Sequence, residues 1–169
     1  RQINDYELLV GGFMGNYYLI MFFPYIFSYE LFELYLPGSS WNPSLEMKAS
    51  TDYENFYGRK NYASNTVGGY YAARLPILQY LDSIKRQGSV LAIRLELPTY
   101  WASLGVWVVR ESVKKTFMTE KIKFDSRGKM LEHAIKIGKQ LFKFDISQIL
   151  EKSKLLENIK TQMVLSRWF

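Results

Sequence analysis

A strongly apolar run from Tyr17 to Phe27 constrains the fold of this chain more than any other feature of its sequence. The run contains no charged residue and is broken by Pro24, so it is too short to cross a bilayer as a helix. It also lacks the basic flank of a signal peptide. A segment with this pattern predicts a strand, Asn16–Phe23, that is buried in a core and is followed by a turn.

The rest of the chain mixes strand and helix patterns. Strands are predicted at Tyr6–Val10 and Val90–Leu97, with the glycines of 11–15 permitting a turn after the first. In the second of these strands Leu91, Ile93 and Leu95 should point one way and Ala92, Arg94 and Glu96 the other. Helices are predicted at Ser28–Tyr35, Tyr70–Arg86 (kinked or restarted at Pro76), Ser103–Phe117, Gly128–Phe142 and Ile146–Ile159, the last capped by Ser147.

Hydrophobic spacing predicts the buried faces of two of these helices. Val106, Val109 and Val113 should face inward on one, and Leu131, Ala134, Ile135 and Leu141 on the other. Two segments, Ser39–Asn65 and Thr119–Arg127, are predicted to be polar or charged loops. The sequence therefore predicts an α+β fold, a small mixed sheet packed by several helices in one domain over residues 1–159. An extended, flexible tail over 160–169 should follow.

Composition excludes several kinds of site. The chain has no cysteine and a single histidine, His133, so disulfides, thiolate metal sites and clusters of histidine ligands are ruled out within it. We predict no metal site, although carboxylates alone could hold a metal, and we expect an intracellular protein. The net charge of +6 indicates attraction to phosphates or acidic membranes. Aromatic residues, 17% of the chain, bury large areas and can also stack on bases.

The last eight residues have the spacing of a peptide that binds the DNA sliding clamp (PCNA). Gln162 is followed at fixed intervals by Leu165, Trp168 and Phe169. A single 3₁₀ turn over 165–168 would bring Leu165 and Trp168 side by side as apolar anchors, because residues i and i+3 eclipse in that turn. A terminal segment that folds on binding suits a reversible partner. The alternative is that the two rings pack against this domain.

The densest polar segment lies between Tyr57 and Arg74 and combines basic residues, helix caps and glycines. A helix N-terminus offers unpaired backbone N–H groups and the positive end of its dipole, a combination that binds phosphate. We therefore predict a phosphate or nucleotide site made by Arg59, Lys60, Asn65, Gly68, Gly69, Tyr70 and Arg74. The alternative is a capped helix behind a solvated loop, because caps and loop charges are common.

Residues elsewhere in the chain could complete such a site. Arg94 and Glu96 should leave the sheet on one face, and we place them and Arg110 near the phosphate, with Glu96 as the candidate acid or base. They could equally form ordinary ion pairs. Three aromatic residues, Tyr100, Trp101 and Trp107, could stack on bases or belong to the core.

Several of these motifs resemble the archaeal Nre family of DNA-repair proteins. The resemblance is carried by the segment Tyr57–Leu75, by Tyr80-Leu81, by Tyr100-Trp101, by Leu104–Glu111 and by Ser153–Leu156, and it extends from about Asn16 to Phe169. The family's terminal clamp-binding peptide matches Gln162, Leu165, Trp168 and Phe169 position by position.

This resemblance implies a role in the repair of damaged DNA together with the clamp, in an archaeal cytoplasm near the nucleoid. It also implies a longer protein with an N-terminal cysteine cluster like a zinc finger, but nothing in this chain supports zinc. Two functions remain open: a repair factor with its own DNA- or nucleotide-binding site, whether or not it is an enzyme, and a non-enzymatic adaptor that tethers another repair protein to the clamp. The cofactor stays open, although the site could hold a nucleotide, and no membrane partner is expected.

Overall fold

A computed structural model describes residues 1–100 and 104–165, with the side chains up to Thr161. Within these ranges the chain forms six strands and five helices. The strands are β1 (Tyr6–Phe13), β2 (Asn16–Phe23), β3 (Tyr29–Tyr35), β4 (Lys48–Glu54), β5 (Ser89–Glu96) and β6 (Ile122–Phe124). The helices are α1 (Val67–Ser83), α2 (Val106–Thr116), α3 (Arg127–Phe142), α4 (Ser147–Glu151) and α5 (Lys154–Leu165).

The six strands form one mixed sheet in the order β4-β3-β5-β2-β1-β6. Strands β3 and β5 are parallel, and every other neighbouring pair is antiparallel. The register sets Tyr35 and Asn16 on either side of Glu96. The carboxyl ends of β3 and β5 and the amino end of β2 therefore lie together at one edge of the sheet.

Helices cover both faces of the sheet. Helices α1 and α2 pack on the face that carries Ile20, Leu31 and Ala92. Helices α3, α4 and α5 pack on the opposite face, against a second core that includes Leu91 and Ile93. Alternate residues of β5 thus enter different cores, which confirms the predicted alternation and the predicted α+β class with a mixed sheet.

The predicted helix Ser28–Tyr35 is wrong, because this segment forms the inner strand β3. Ser28 caps no helix; its hydroxyl donates instead to the Ser89 hydroxyl. Glu30 and Glu33 resemble the polar side of a helix in their spacing, yet both are buried, on opposite faces of the sheet. The sheet accommodates them because each face provides hydrogen-bond donors for one carboxylate, which local sequence spacing cannot reveal.

Two predicted loops contain strands at the edges of the sheet. Strand β4 lies within Ser39–Asn65, and the short β6 lies within Thr119–Arg127. Edge strands can carry many polar side chains because one side of each strand has no neighbour, so their sequences resemble loops.

Helices α1, α2 and α3 differ in detail from the predictions. Helix α1 begins at Val67 and continues through Pro76 as one element, without the predicted second start. Val109 and Val113 of α2 are buried as predicted, whereas Val106, at the first helical position, is exposed. Leu141 of α3 is also exposed, since the last turn of that helix directs it away from the sheet's core.

The predicted helix Ile146–Ile159 is two helices, and its second part continues beyond the predicted end. The Asp145 carboxylate accepts from the Ser147 backbone N–H, so Asp145 rather than Ser147 satisfies the start of α4. Backbone that was predicted to be extended from Lys160 is helical to Leu165. Residues 166–169 lie outside the described part of the chain.

A buried carboxylate, Glu30, fixes the start of α5 on the sheet. It accepts from the Ser153 hydroxyl at 2.5 Å and from the backbone N–H groups of Lys154 and Leu155 at 3.2 and 3.0 Å. Ser153 in turn accepts from the Leu156 N–H as a helix cap. Burial raises the pKa of Glu30, and these hydrogen bonds oppose the shift. Motif Ser153–Leu156 is therefore a docking element that joins α5 to β3.

We expect Glu30→Gln to destabilise the protein by about 2 kcal/mol, because an amide nitrogen would face N–H donors left without an acceptor in a buried site. Urea unfolding followed by circular dichroism measures the change. The exposed Glu132→Gln on α3 is the matched control and should leave the unfolding midpoint unchanged. An equal effect of the two substitutions would contradict this role of Glu30.

Candidate functional site

A cleft of about 250 Å³ opens at the carboxyl ends of β3 and β5. Its floor comes from the sheet, through Glu33, Tyr35 and Arg94. Its walls come from the first turns of α1 and α2, and Trp41 lies on its rim. In sheets with parallel strands, ligands commonly bind at the carboxyl ends of those strands. This cleft is the candidate site.

Arg94 is the centre of the floor. Its side chain is buried, and its Nε and Nη2 atoms donate to Asn16 Oδ1 at 2.8 and 2.5 Å. Nη1 donates to Glu33 Oε1 at 2.8 Å, and Nη2 also donates to Glu96 Oε2 at 3.1 Å. Four of the five guanidinium N–H groups are thereby engaged by acceptors on β2, β3 and β5, so Arg94 has a structural role at this end of the sheet.

Two carboxylates contact the single guanidinium: Glu33 lines the cleft, and Glu96 does not. Glu33 also accepts from the Tyr35 hydroxyl at 2.6 Å, and Glu96 also accepts from the Trp41 backbone N–H at 3.1 Å. Burial raises the pKa of Glu96 above its usual range, and Arg94 opposes that shift. Glu33 is the carboxylate that a ligand in the cleft would meet, so the floor presents a hydrogen-bond acceptor.

The walls have the opposite polarity. The N-cap of α1, Thr66, makes no side-chain capping hydrogen bond, the N-cap of α2 is Gly105, which has no side chain, and neither first turn contains an acidic residue. Gly69 lets the first turn of α1 approach the floor, since a Cβ there would lie against Glu33 Oε1. Two positive dipole ends therefore converge near the mouth of the cleft.

A second hollow, about 300 Å³ and more open, lies beside Arg59. The Arg59 guanidinium donates to the backbone carbonyls of Tyr53, Asn61 and Tyr62 and lies 3.3 Å from Asp52 Oδ1. It also lies over the ring of Tyr70. Arg59 thus holds residues 55–62, which we call the aromatic loop, in a fixed shape.

Asp52 joins the aromatic loop to α1. Its Oδ2 atom accepts from the backbone N–H groups of Asn65 and Thr66 and from the Thr66 hydroxyl, at 2.7 to 2.9 Å. Burial would raise the pKa of Asp52, but the hydrogen bonds from Thr66 and Asn65 and the Arg59 charge lower it overall. The carboxylate therefore satisfies the entrance to α1 that the Thr66 side chain leaves uncapped.

The predicted phosphate-binding residues do not form one site: some are paired with acids, some lie at the start of α1, one is exposed and one is buried. Arg59, Arg74 and Arg94 are engaged by acids, with Arg74 Nε 2.7 Å from Glu54 Oε1. Asn65 and Gly69 border the cleft, and Gly68 packs at the same helix start against Val106. Lys60 is exposed and has no ion pair among the described residues, whereas Tyr70 is buried.

Of the other predicted residues, Tyr100 lines the cleft, Arg110 lies apart from it, and several side chains lie beyond the described ranges. Arg110 lies on an exposed part of α2, 3.9 Å from Glu111, and does not line the cleft. Tyr100 lines the cleft, with its hydroxyl accepting from the Leu104 N–H. The side chains of Trp101, Gln162, Leu165, Trp168 and Phe169 lie outside what the structure describes.

Sequence reasoning missed Glu33, Asn16, Asp52 and Trp41. Glu33 and Asp52 were assigned to a helix and a loop, where a carboxylate needs no partner. One available signal was the pair of acids within the hydrophobic segment 29–36, because a charge among so many apolar residues must find a partner when it is buried.

Family comparison identifies the chain. A model described as "Archaeal Nre, C-terminal" matches residues 54–168, and one described as "Archaeal Nre, N-terminal" matches residues 1–42. The chain belongs to the archaeal Nre family. The two matches share one sheet: β1, β2 and β3 lie in the N-terminal match, and β5, inserted between β3 and β2, lies in the C-terminal match.

Curated relatives carry the same family name. The chain is 31% identical to "DNA repair protein NreA" of Haloferax volcanii and 32% identical to "DNA repair protein NreB" of Archaeoglobus fulgidus, over 96% and 92% of its length. It is 41% identical over 66% of its length to the Archaeoglobus NreA. The chain spans 38%, 38% and 28% of these relatives, in the order Haloferax NreA, Archaeoglobus NreB and Archaeoglobus NreA. No solved structure matches it.

Within residues 1–100 and 104–165, no helix is long and apolar enough to span a membrane. No three His, Asp or Glu side chains in those ranges are grouped to hold a metal ion.

We expect Arg59→Ala and Arg74→Ala each to destabilise the fold by about 2 kcal/mol, because each leaves an almost buried carboxylate unpaired. Lys60→Ala, a neighbouring basic residue with an exposed side chain, is the control and should unfold like the unaltered protein. Urea denaturation of the three variants measures this difference. Unchanged stability of both arginine variants would show that their ion pairs contribute nothing.

Proposed function

We propose that this protein takes part in DNA repair by holding unpaired DNA on its aromatic loop while its C-terminal peptide binds the sliding clamp. The observation that carries the DNA-binding part is a set of rings presented to solvent in a fixed geometry. The names of the relatives, all DNA repair proteins, support the biological setting.

The aromatic loop exposes three rings beside the ammonium group of Lys60, which has no ion pair among the described residues. Tyr57 is 83% exposed and Tyr62 62%, and Phe56 is half exposed. Isolated exposed side chains need no explanation, but several rings on one short loop form a surface on which bases can stack. The ammonium group of Lys60 supplies attraction to phosphates on the same loop.

The loop is ordered before any ligand binds. Asn55 accepts from Tyr57 and Gly58 in a turn that Gly58 completes at a φ of 75°, a conformation that favours glycine. The Arg59 guanidinium then donates to the Tyr53 carbonyl before the loop and to the Tyr62 carbonyl at its end, and so holds the two ends together. A surface held in this way loses little conformational entropy on binding, so more of the stacking energy contributes to affinity.

Tyr57→Ala should weaken binding of a fluorescein-labelled oligo(dT) at least about fivefold, since base stacking on an aromatic ring contributes about 1–3 kcal/mol. Lys60→Ala should reduce the salt dependence of binding by about one phosphate contact. Fluorescence anisotropy at several salt concentrations measures both effects.

Met118→Ala is the matched control for Tyr57, because Met118 is equally exposed and follows α2, which packs near the opposite edge of the sheet. Binding that all three variants leave unchanged would place the DNA elsewhere. No binding of oligo(dT) by the unaltered protein would refute the DNA-binding part of the proposal.

The clamp-binding part rests on the spacing of Gln162, Leu165, Trp168 and Phe169. Helix α5, docked by Glu30, carries the backbone to Leu165, so the first residues of the peptide continue directly from that helix. Binding would exchange the last turn of α5 for the single turn that brings Leu165 and Trp168 together. Few backbone hydrogen bonds are lost when the end of a helix unwinds.

Calorimetric titration of an archaeal clamp with this chain should show binding that is lost when the chain ends at Thr161. The shortened chain keeps the buried contacts of α5, since Ile159 is the last buried residue described. A double variant, Trp168→Ala with Phe169→Ala, should lose binding without any change in chain length. Equal binding by all three proteins would refute the role of the peptide.

An adaptor without its own DNA site is the second candidate. It is favoured by the ion pairs of Arg59, Arg74 and Arg94, which leave the predicted basic site with a structural role. An adaptor would bind the clamp through the same peptide but would not bind oligo(dT). The two experiments above therefore separate the two functions.

A further inference from the structure

We propose that the cleft at the ends of β3 and β5 receives one unstacked DNA base that carries an amino group. The base would enter first, with its flanking phosphate at the mouth of the cleft. This inference rests on the proposed DNA binding and names the ligand of a site distinct from the aromatic loop.

Size limits the ligand to about one base. Pockets for drug-sized molecules usually measure about 300–1,000 Å³, and this cleft measures about 250 Å³. The space is suited to one flat ring system and excludes a stacked pair of bases. The aromatic loop leads in three residues to Asn65 and Thr66, which line the cleft, so a strand stacked on the loop lies within reach of it.

The polarity of the cleft determines which end of a nucleotide enters. Its floor presents the Glu33 carboxylate, and a second acid, Glu96, contacts the same guanidinium without lining the cleft. Four of the five N–H groups of that guanidinium already donate to the protein. A phosphate would be repelled there. At the mouth lie the N-terminal ends of α1 and α2, whose first turns contain no acidic residue and whose dipoles attract a phosphate. The nucleotide is therefore oriented with its base inward.

The floor selects a base that donates hydrogen bonds. An ionised carboxylate offers about four acceptor positions, and Glu33 uses two of its positions for Arg94 and Tyr35. The Tyr35 hydroxyl gives its proton to Glu33, so only its lone pairs remain for a ligand. An amino group, as in adenine or cytosine, satisfies these acceptors, whereas the carbonyl oxygens of thymine would meet them unfavourably.

A ring at the rim supplies stacking. Trp41 is 59% exposed while its backbone N–H is fixed by Glu96, so its indole lies at the entrance without being part of the core. Enzymes and binding proteins that hold a single unpaired base combine such stacking with hydrogen bonds to the edge of the base. On β2, directly opposite Arg94, the Tyr18 hydroxyl is buried and has no hydrogen-bond partner among the described residues.

The experiment compares three labelled 11-residue oligo(dT) probes whose central position is deoxyadenosine, deoxythymidine or an abasic site. The unaltered chain should bind the deoxyadenosine probe about tenfold more tightly than either of the others. Trp41→Ala and the cleft-filling Val106→Trp should each remove this preference and leave binding of the abasic probe unchanged. Leu141→Ala, an exposed apolar residue on the opposite layer, should change nothing.

Glu33→Gln tests the floor itself, because an amide would donate to the base and reduce discrimination against thymine. It perturbs a buried ion pair, so its thermal unfolding is measured alongside, and Val106→Trp, at an exposed position, tests the cleft without touching that pair. A thymine preference in the unaltered protein would overturn the assignment of acceptors to the floor.

Other outcomes separate this inference from the proposed function. Equal binding of all three probes, with sensitivity to Tyr57→Ala retained, would remove the base pocket and leave DNA binding by the aromatic loop intact. No binding of any probe would overturn both. Loss of affinity for the abasic probe in Trp41→Ala would show that the indole contacts the strand rather than a single base.

Discussion

The buried guanidinium of Arg94 is the interaction on which the candidate site depends. A charge taken out of water must be paired and hydrogen-bonded, and here the partners come from three adjacent strands, β2, β3 and β5. Their ends are thereby fixed against one another at one edge of the sheet. Because Glu33 lines the cleft, the same interaction also gives the floor its carboxylate.

Buried carboxylates on β3 and β4 perform the corresponding task for the surrounding helices. Glu30 docks α5, Asp52 satisfies the start of α1, and Glu54 pairs with Arg74 of α1. Each acid extends from a strand to an element that follows it in sequence, so these two strands organise much of the chain. Arg59 and Arg74, which suggested a phosphate site, pair with two of these acids and so help to hold the helices on the sheet. The surfaces that remain for ligands are the exposed aromatic rings, Lys60 and the N-terminal ends of the helices.

The two matched regions of the Nre family meet within one sheet. Strand β5 of the C-terminal match lies between two strands of the N-terminal match, and β6 pairs with β1. Neither region contains a complete sheet, because the hydrogen bonds of β2 and β3 are made with β5. The cleft draws on both regions as well, with Glu33 from one and Arg94 from the other, so the site exists only in the assembled fold.

Local sequence patterns determined those elements in which one residue type dominates or alternates regularly. The apolar run gave β2, the alternation around Arg94 gave β5, and periodic spacing gave the helices, because burial against a single core imposes these repeats. Composition determined that cysteine chemistry is absent, and the spacing of the terminal residues gave the clamp hypothesis. Family motifs near Tyr57 and Ser153 were visible, but their physical roles were not.

Tertiary structure decided what the charged residues do. Strand β3 was mistaken for a helix because the partners of Glu30 and Glu33 lie more than 60 residues away in sequence. The same distance separates Arg94 from Asn16 and Glu33, so no local pattern could tell a phosphate-binding arginine from a structural one. Sequence alone fixes which charges must be neutralised on burial, whereas only the register of the sheet fixes which partner neutralises each of them.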